Sequence, residues 1–193
     1  TSNESLAYYY RIKEGEVYKA YYKNGGEVYF EGKILKTSNT HEDKNVYQGE
    51  CVWYYKNGNK HSERWLINNQ LHRNNDSPAW IGYYENGKKE FESWWVNGQL
   101  RRDNVYLVWI HYYENGNKKS EEWQVNGKQH RDNDNPAWIG YYENRNKKFE
   151  SWWVNGQLHR DNELPARIRY YENGNKKEED WYQYNNSIKK INY

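Results

Sequence analysis

Between residues 79 and 96 the chain reads AWIGYYENGKKEFESWWV, two aromatic-rich bursts around a polar Glu-Asn-Gly-Lys break. Ala79, Ile81 and Tyr83 fall at every second place, the period of a strand with one face turned inward. The runs from Ala79 to Tyr84 and from Glu90 to Val96 are rich in aromatic and β-branched residues, and both are expected to be strands. Asn86-Gly87 between them is a strong hairpin signal, because a type I′ turn needs positive φ at both central residues. A second Asn-Gly follows at Asn97-Gly98, with counterparts at Asn126-Gly127 and Asn155-Gly156. Each such stretch therefore reads strand, turn, strand, turn, short strand, then a loop such as Asp132 to Pro136. Asn144-Arg145 stands where an Asn-Gly is expected, and the cost of Arg at positive φ suggests a different turn type there.

The pattern repeats. Tyr-Tyr pairs begin at Tyr54, Tyr83, Tyr112, Tyr141 and Tyr170, and the step of 29 also links Trp65, Trp94, Trp123, Trp152 and Trp181, and Glu63, Glu92, Glu121, Glu150 and Glu179. A fixed period of this size indicates a repeat array in which each unit is stabilised by its neighbours. Residues 79–104 match 137–162 better than either matches 108–133, the mark of a later duplication of a two-repeat block. The expected architecture is all-β: an elongated array of about six hairpin repeats in a single-layer antiparallel sheet or open β-solenoid. The chain 1–193 is read as one repeat domain. Residues 1–49 form a divergent cap that includes Tyr21-Tyr22-Lys23-Asn24-Gly25. Repeats follow at 50–78, 79–107, 108–136, 137–165 and 166–193, the last closing the array.

Pairing about the turns sets Tyr83 opposite Glu90, Ile81 opposite Glu92, Ala79 opposite Trp94, and Val96 opposite Gln99. One face then carries Ala79, Ile81, Tyr83, Glu92, Trp94 and Val96, and this set is nearly the same in every repeat. The other face changes: Trp80, Gly82, Phe91, Trp95 and Leu100 in one repeat become Trp109, His111, Ser120, Gln124 and Gln129 in the next. Stacking copies on copies requires the constant face, so the variable face is left for solvent or a partner. Trp80, Phe91, Trp95 and Leu100, with their copies Trp138, Phe149, Trp153 and Leu158, are the candidate contact residues. Tyr106 and Trp109 join them, because residues 104–110 are the most apolar, strand-prone stretch.

Composition narrows the functional classes. Mean hydropathy is strongly polar, yet aromatics make up 19% of the chain, with 22 Tyr and 11 Trp against 3 Phe. Rings with wet tips, more than aliphatic side chains, must supply a thin core. The 29 basic and 27 acidic residues nearly cancel and are interspersed, so no basic block points to nucleic acid or anionic lipid. No apolar run is long enough for a membrane span and the chain opens with no secretory signal. The single cysteine, Cys51, favours a reducing compartment.

The form Tyr-Tyr-x-Asn-Gly followed by Trp-x-x-Asn-Gly resembles the MORN-type repeat and its degenerate relatives in bacterial and viral repeat proteins. The likeness covers residues 50–182 well and 17–35 loosely. The period is longer than usual and the insert from His130 to Ala137 is foreign to that pattern, looking more like a variant found in large DNA viruses. The resemblance implies an extended sheet of hairpins acting as scaffold or binding surface, a cytoplasmic or virion-associated place, and no catalysis of its own.

The chemistry-bearing residues read as structural. Trp65, Trp123 and Trp152 face His72, His130 and His159, with Arg101 opposite Trp94; exchange of His for Arg suits cross-strand stacking and not metal ligation. Arg73, Arg102, Arg131 and Arg160 fall on the other face in the simple register. The five Glu are one per repeat, too far apart for a two-carboxylate pair, and are expected to accept bonds from a neighbouring repeat's Tyr or backbone. Asp132, Asp134 and Glu143 are spaced like part of a calcium loop, but Ala137 replaces the required Gly, and a strand-end turn is the preferred reading. No cofactor, metal or enzyme activity is expected. The expected function is protein binding or homodimerisation through the variable face, with glycan binding by exposed Trp and Tyr as the alternative.

Overall fold

The computed structural model describes residues 12–14, 17–22, 26–36, 46–74, 76–100 and 106–193, with the side chains of 12–14, 36, 106 and 107 excepted. Among the described residues every regular element is a strand, and no helix is long and apolar enough to cross a membrane. The chain divides into two compact units, residues 1–89 with 95–98, and residues 90–94 with 99–193. Arg101, Arg102, Asp103, Asn104 and Val105, and the Lys23-Asn24-Gly25 turn, lie outside the described residues.

The first unit holds β1 (Ile12–Glu14), β2 (Val17–Tyr21), β3 (Val28–Lys36), β4 (Val46–Tyr54), β5 (Lys60–Ile67), β6 (Gln70–Leu71) and β7 (Trp80–Tyr83). They pair in the order β1-β2-β3-β4-β5-β7, with β6 folded onto the end of β5. Its core is Ala20, Phe30, Ile34, Cys51 and Leu66, ringed by Tyr18, Tyr29, Tyr47, Trp53 and Leu71. Phe30, Tyr47 and Trp53 meet pairwise at centroid distances of 5.1–6.0 Å, which is how a chain poor in aliphatics fills a core.

After β8 (Lys89–Ser93), β9 (Trp95–Val96) and β10 (Gln99–Leu100) come β11 (Tyr106–Tyr112), β12 (Lys118–Val125), β13 (Lys128–Gln129), β14 (Trp138–Tyr141), β15 (Lys147–Ser151), β16 (Trp153–Val154), β17 (Gln157–Leu158), β18 (Arg167–Tyr170), β19 (Lys176–Gln183) and β20 (Asn186–Asn192). The second unit pairs these as β8-β11-β12-β14-β15-β18-β19-β20, all antiparallel, with β13 on β12 and β16 with β17 as a separate ribbon. The all-β hairpin array expected from the period is thus present, and neither list closes on itself as a barrel would.

The central register is the expected one. Ile139 pairs Glu150, Trp138 pairs Ser151, and Val154 pairs Gln157. The constant face is buried: Ala79, Val108, Ala137 and Ala166 are fully covered, and Ile81, Ile110, Ile139 and Ile168 nearly so. In these four repeats Ala or Val at the first place and Ile at the second are covered by their surroundings, which leaves little room for larger residues there.

The two Asn-Gly turns differ, a correction to the expected type I′ geometry. At the first, only the glycine has positive φ (Gly58, Gly87, Gly116 and Gly174, 81–90°). Gly87 N–H donates to Tyr84 O at 2.9 Å, and the Asn86 side-chain oxygen accepts from Lys88 N–H at 2.9 Å. This is a type I turn followed by a bulge. The Asx bond holds Asn86 in its ordinary conformation. The extra residue shifts the register next to the Tyr pair, so Tyr141 pairs Lys147 and not Lys148. Arg145 keeps this turn type, with φ 75° and the same N–H bond to Tyr142 O at 3.0 Å, so the turn does not change as the residue exchange suggested. The second turn is type I′: Asn97, Asn126 and Asn155 have φ of 51–52° and their glycines 70–81°. Gly98 N–H and Gly156 N–H then donate to Leu71 O and Gln129 O of the preceding repeats at 2.9 Å.

Candidate functional site

Most of the recurring polar residues join one repeat to the next. The first Tyr of each pair donates to the preceding repeat's glutamate: Tyr83 to Glu63 (2.7 Å), Tyr112 to Glu92 (2.5 Å), Tyr141 to Glu121 (2.6 Å) and Tyr170 to Glu150 (2.6 Å). Tyr193 takes that place on Glu179. Lys118, Lys147 and Lys176 hold the second carboxylate oxygen of Glu121, Glu150 and Glu179 at 2.5–2.6 Å, and Lys60 that of Glu63. Burial and the adjacent glutamate push the phenols of Tyr112, Tyr141 and Tyr170 well above the ordinary tyrosine range. The second Tyr donates forward: Tyr55 to Tyr83 O, Tyr113 to Tyr141 O and Tyr142 to Tyr170 O, at 2.7–2.9 Å. Asn59, Asn117 and Asn146 donate their side-chain amides to Glu85 O, Glu143 O and Glu172 O at 2.7–2.8 Å. A buried glutamate bonded to a phenol and a lysine meets its desolvation cost without chemistry.

The Trp–His pairing holds in the backbone only. His72, His130 and His159 N–H donate to Trp65 O, Trp123 O and Trp152 O at 2.9–3.2 Å. The ring partner of each Trp is the arginine one residue later: Arg73, Arg131 and Arg160 lie 3.5, 3.8 and 3.9 Å from the Trp65, Trp123 and Trp152 centroids. The simple register had put these arginines on the other face. The ladder ends at the histidine, so strict alternation stops there and the guanidinium swings back over the indole. It also donates to a proline carbonyl five residues on, Pro78, Pro136 or Pro165. The histidines bond elsewhere: His130 Nε2 to Asp132 at 2.9 Å, His159 Nε2 to Asp161 at 3.0 Å, with Asn155 N–H directed at His130 Nδ1 at 3.3 Å. Both carboxylate oxygens of Asp134 receive Arg160, at 2.7 and 2.8 Å, and this hydrogen bonding holds the Asp134 carboxyl below its usual range. These loops border a shallow pocket of about 220 Å³ between Asp132, Asp134, Trp153, His159 and Arg160.

The variable face of the second unit is continuous across its strands. One row runs Ser93, Trp109, Glu122, Trp138, Ser151, Arg167, Asp180, and the row beside it Phe91, His111, Ser120, Gly140, Phe149, Arg169, Glu178. Aromatics cluster at one part: Trp109 stacks on His111 at 5.6 Å and 8°, with Phe91 5.7 Å from Trp109. Burial of His111 lowers its pKa. Further along, Trp138 meets Phe149 edge-on at 4.9 Å, and the Phe149 ring lies over Gly140, where a side chain would collide with it. Toward β20 the face becomes ionic, with Arg167 on Asp180 at 2.8 Å and Arg169 on Glu178 at 2.6 Å. Lys190 and Arg169 keep the Glu178 carboxyl below its usual range, the Lys190 bond being the larger cause.

Of the candidate contact residues, Trp138 is exposed at 38%, while Trp80, Phe91, Trp95, Leu100, Trp109, Phe149 and Trp153 are half-buried. Leu158 is buried, and the Tyr106 side chain lies outside the described residues. The Trp153 indole N–H donates to Ser151 Oγ at 2.8 Å, so it folds back over the end of β15. Sequence reasoning missed Glu122 and Arg64, each of which sits in the same variable column of the repeat; that column, read down the period as Arg64, Ser93, Glu122, Ser151 and Asp180, was the available signal. No family model, curated protein or solved structure matches the chain.

Proposed function

We propose that this chain is a non-enzymatic repeat scaffold that binds protein, a partner or a second copy of itself, through the variable face. The observation that carries the reading is the division of labour between positions. Tyr, Glu, Lys, Asn, Arg and Trp at the recurring places are committed to bonds within and between repeats, whereas Phe91, Trp109, Trp138 and Phe149 gather on the face whose residues differ from repeat to repeat. A half-covered aromatic strip flanked by fixed ion pairs has the make-up of a protein contact surface, with rings at its centre and charge at its rim. The resemblance to MORN-type arrays points the same way. Sedimentation of the intact protein, with and without candidate partners, beside a variant with Trp95 and Trp153 changed to Ser tests it. An assembly seen with the intact protein and lost in the variant supports the reading. Equal monomer mass for both, and equal capture of every partner tried, refutes it. The glycan reading keeps one supporting observation, the open indole of Trp138, and predicts binding to a glycan array that Trp138→Ala abolishes.

A further inference from the structure

Arg64 lies on the variable face of the first unit, in β5. Its guanidinium carbon is 4.7 Å from the centroid of Trp80, its direct cross-strand partner on β7, and 4.7 Å from that of Trp53, on the diagonal in β4. A ring contact engages the positive charge, but the N–H donors of a guanidinium need acceptors besides. Arg64 has none: among the described residues it makes no hydrogen bond and no ion pair, and its Nε is enclosed without a partner. Ser62 Oγ, two residues earlier on the same face, is enclosed and unpartnered too, with Ser62 only 2% exposed. Burial lowers the Arg64 pKa, and the titratable groups that act on it, Tyr29, Cys51 and Tyr47, include no carboxylate. Other repeats complete this column from within. Glu122 accepts from Gln124 and Gln129 at 2.8 and 2.9 Å, Ser151 Oγ receives the Trp153 indole N–H, and Asp180 receives Arg167 Nε at 2.9 Å. Of the three charged members, Arg64 is the one left without a hydrogen-bonding counterpart among the described residues.

Resting on the reading of this face as a protein-binding surface, we propose that Arg64, held between Trp53 and Trp80, receives an aspartate or glutamate side chain of a partner protein. The carboxylate meets Nη1 and Nη2 end-on, because Nε is enclosed while the residue as a whole is only half-buried. The two indoles already restrain the side chain, so less rotamer freedom is lost when the partner docks. Half-burial strengthens the attraction over that of a fully exposed pair. Donors without acceptors favour a charged oxygen over a neutral amide. A carboxylate fits better than a phosphoryl group, since one guanidinium matches a single negative charge and no second cation acts on Arg64.

The test titrates the full chain at low salt with acetyl-Gly-Glu-Gly-amide and, separately, with its glutamine counterpart, which has the same shape and no charge. Binding is followed by the Arg64 Nε–H signal, assigned by its loss in Arg64→Lys, and by the Trp80 indole N–H signal, assigned through Trp80→Phe. The glutamate peptide is expected to bind at about 10 mM, and the glutamine peptide about fivefold more weakly. Arg64→Gln, which keeps a donor and loses the charge, should remove the preference for glutamate. Arg64→Lys, which keeps the charge and loses the flat fork, should reduce it. Equal affinity of the native chain for the two peptides overturns the proposal, whatever the variants do. So does a glutamate preference that persists in an Arg64→Gln chain with intact thermal unfolding, or tighter binding of inorganic phosphate than of the glutamate peptide. Sedimentation of the Trp95 and Trp153 variant, run in parallel, separates the two claims. Assembly lost there, with no glutamate preference in the native chain, removes the Arg64 site and leaves the protein-binding face. A glutamate preference carried by Arg64, with one monomer mass and equal partner capture for both chains, upholds the site and removes the wider face.

Discussion

Tyr170→Phe removes one oxygen and nothing else, which makes it a clean probe of what joins the repeats. In the native state the Tyr170 hydroxyl donates to Glu150 Oε2 at 2.6 Å while Lys147 holds Oε1 at 2.6 Å, and Glu150 is only 8% exposed. The variant leaves a buried carboxylate with half its donors. A hydrogen bond to a charged group contributes about 1.5–3 kcal/mol, and each kcal/mol moves the melting temperature of a chain this size by about 2–4 °C. A fall of about 3–12 °C is therefore expected at pH 7. The pH dependence carries a second check. The Tyr170 phenol is raised above its ordinary value by burial and by Glu150, so the folded state favours its protonated form. That stability is fully present below the unfolded tyrosine pKa, about 10, and is lost as pH rises above it toward the folded value. The gap between native protein and variant should stay constant from pH 7 to about pH 10 and then narrow. Urea unfolding at pH 7, 9, 10 and 11 measures it, with Glu150→Gln and the double variant closing a cycle. A loss under about 0.5 kcal/mol, or additive behaviour in the cycle, would refute the view that this phenol–carboxylate pair holds repeats together.

Two further outcomes follow from the turns and the variable face. Arg145→Gly should raise stability, by up to about 1 kcal/mol, because Arg145 holds φ 75° where Gly58, Gly87, Gly116 and Gly174 hold the same turn without a side chain; the bond from Arg145 Nε to Asn117 Oδ1 at 3.0 Å offsets part of the gain, and a lowered melting temperature would show that this bond outweighs the backbone strain. Gly140→Ala should destabilise, since the Phe149 ring occupies the space beside Gly140; Phe149→Leu should recover most of that loss, and thermal unfolding of the two single variants and the double variant decides it.

Much of the fold is legible in the chain because a repeat reports its own constraints. Period two within a burst, Asn-Gly between bursts and a step of 29 were enough to place the strands, and Ile139 opposite Glu150 follows from counting outward from a turn. The glutamate ladder was also foreseeable: a carboxylate recurring on an aromatic face needs a donor, and tyrosine was the recurring donor at hand. The first turn was not, since Asn-Gly serves both a type I′ turn and a bulged type I turn, and the choice depends on the strand twist that each pair must accept.

What the sequence determined by itself is the unit: which residues are strand, which face must stay constant, and that each hairpin needs another beside it, all consequences of local backbone preference and alternation. What only the tertiary structure decided lies where alternation lapses. Past His72, His130 and His159 the chain leaves the ladder, and the direction of the next side chain is set by the proline carbonyl and the indole that can receive it, which is why Arg73, Arg131 and Arg160 cover Trp65, Trp123 and Trp152. The same holds for Glu122, an ordinary acid in the sequence, whose position between Trp109 and Trp138 exists only once three strands from two repeats lie side by side.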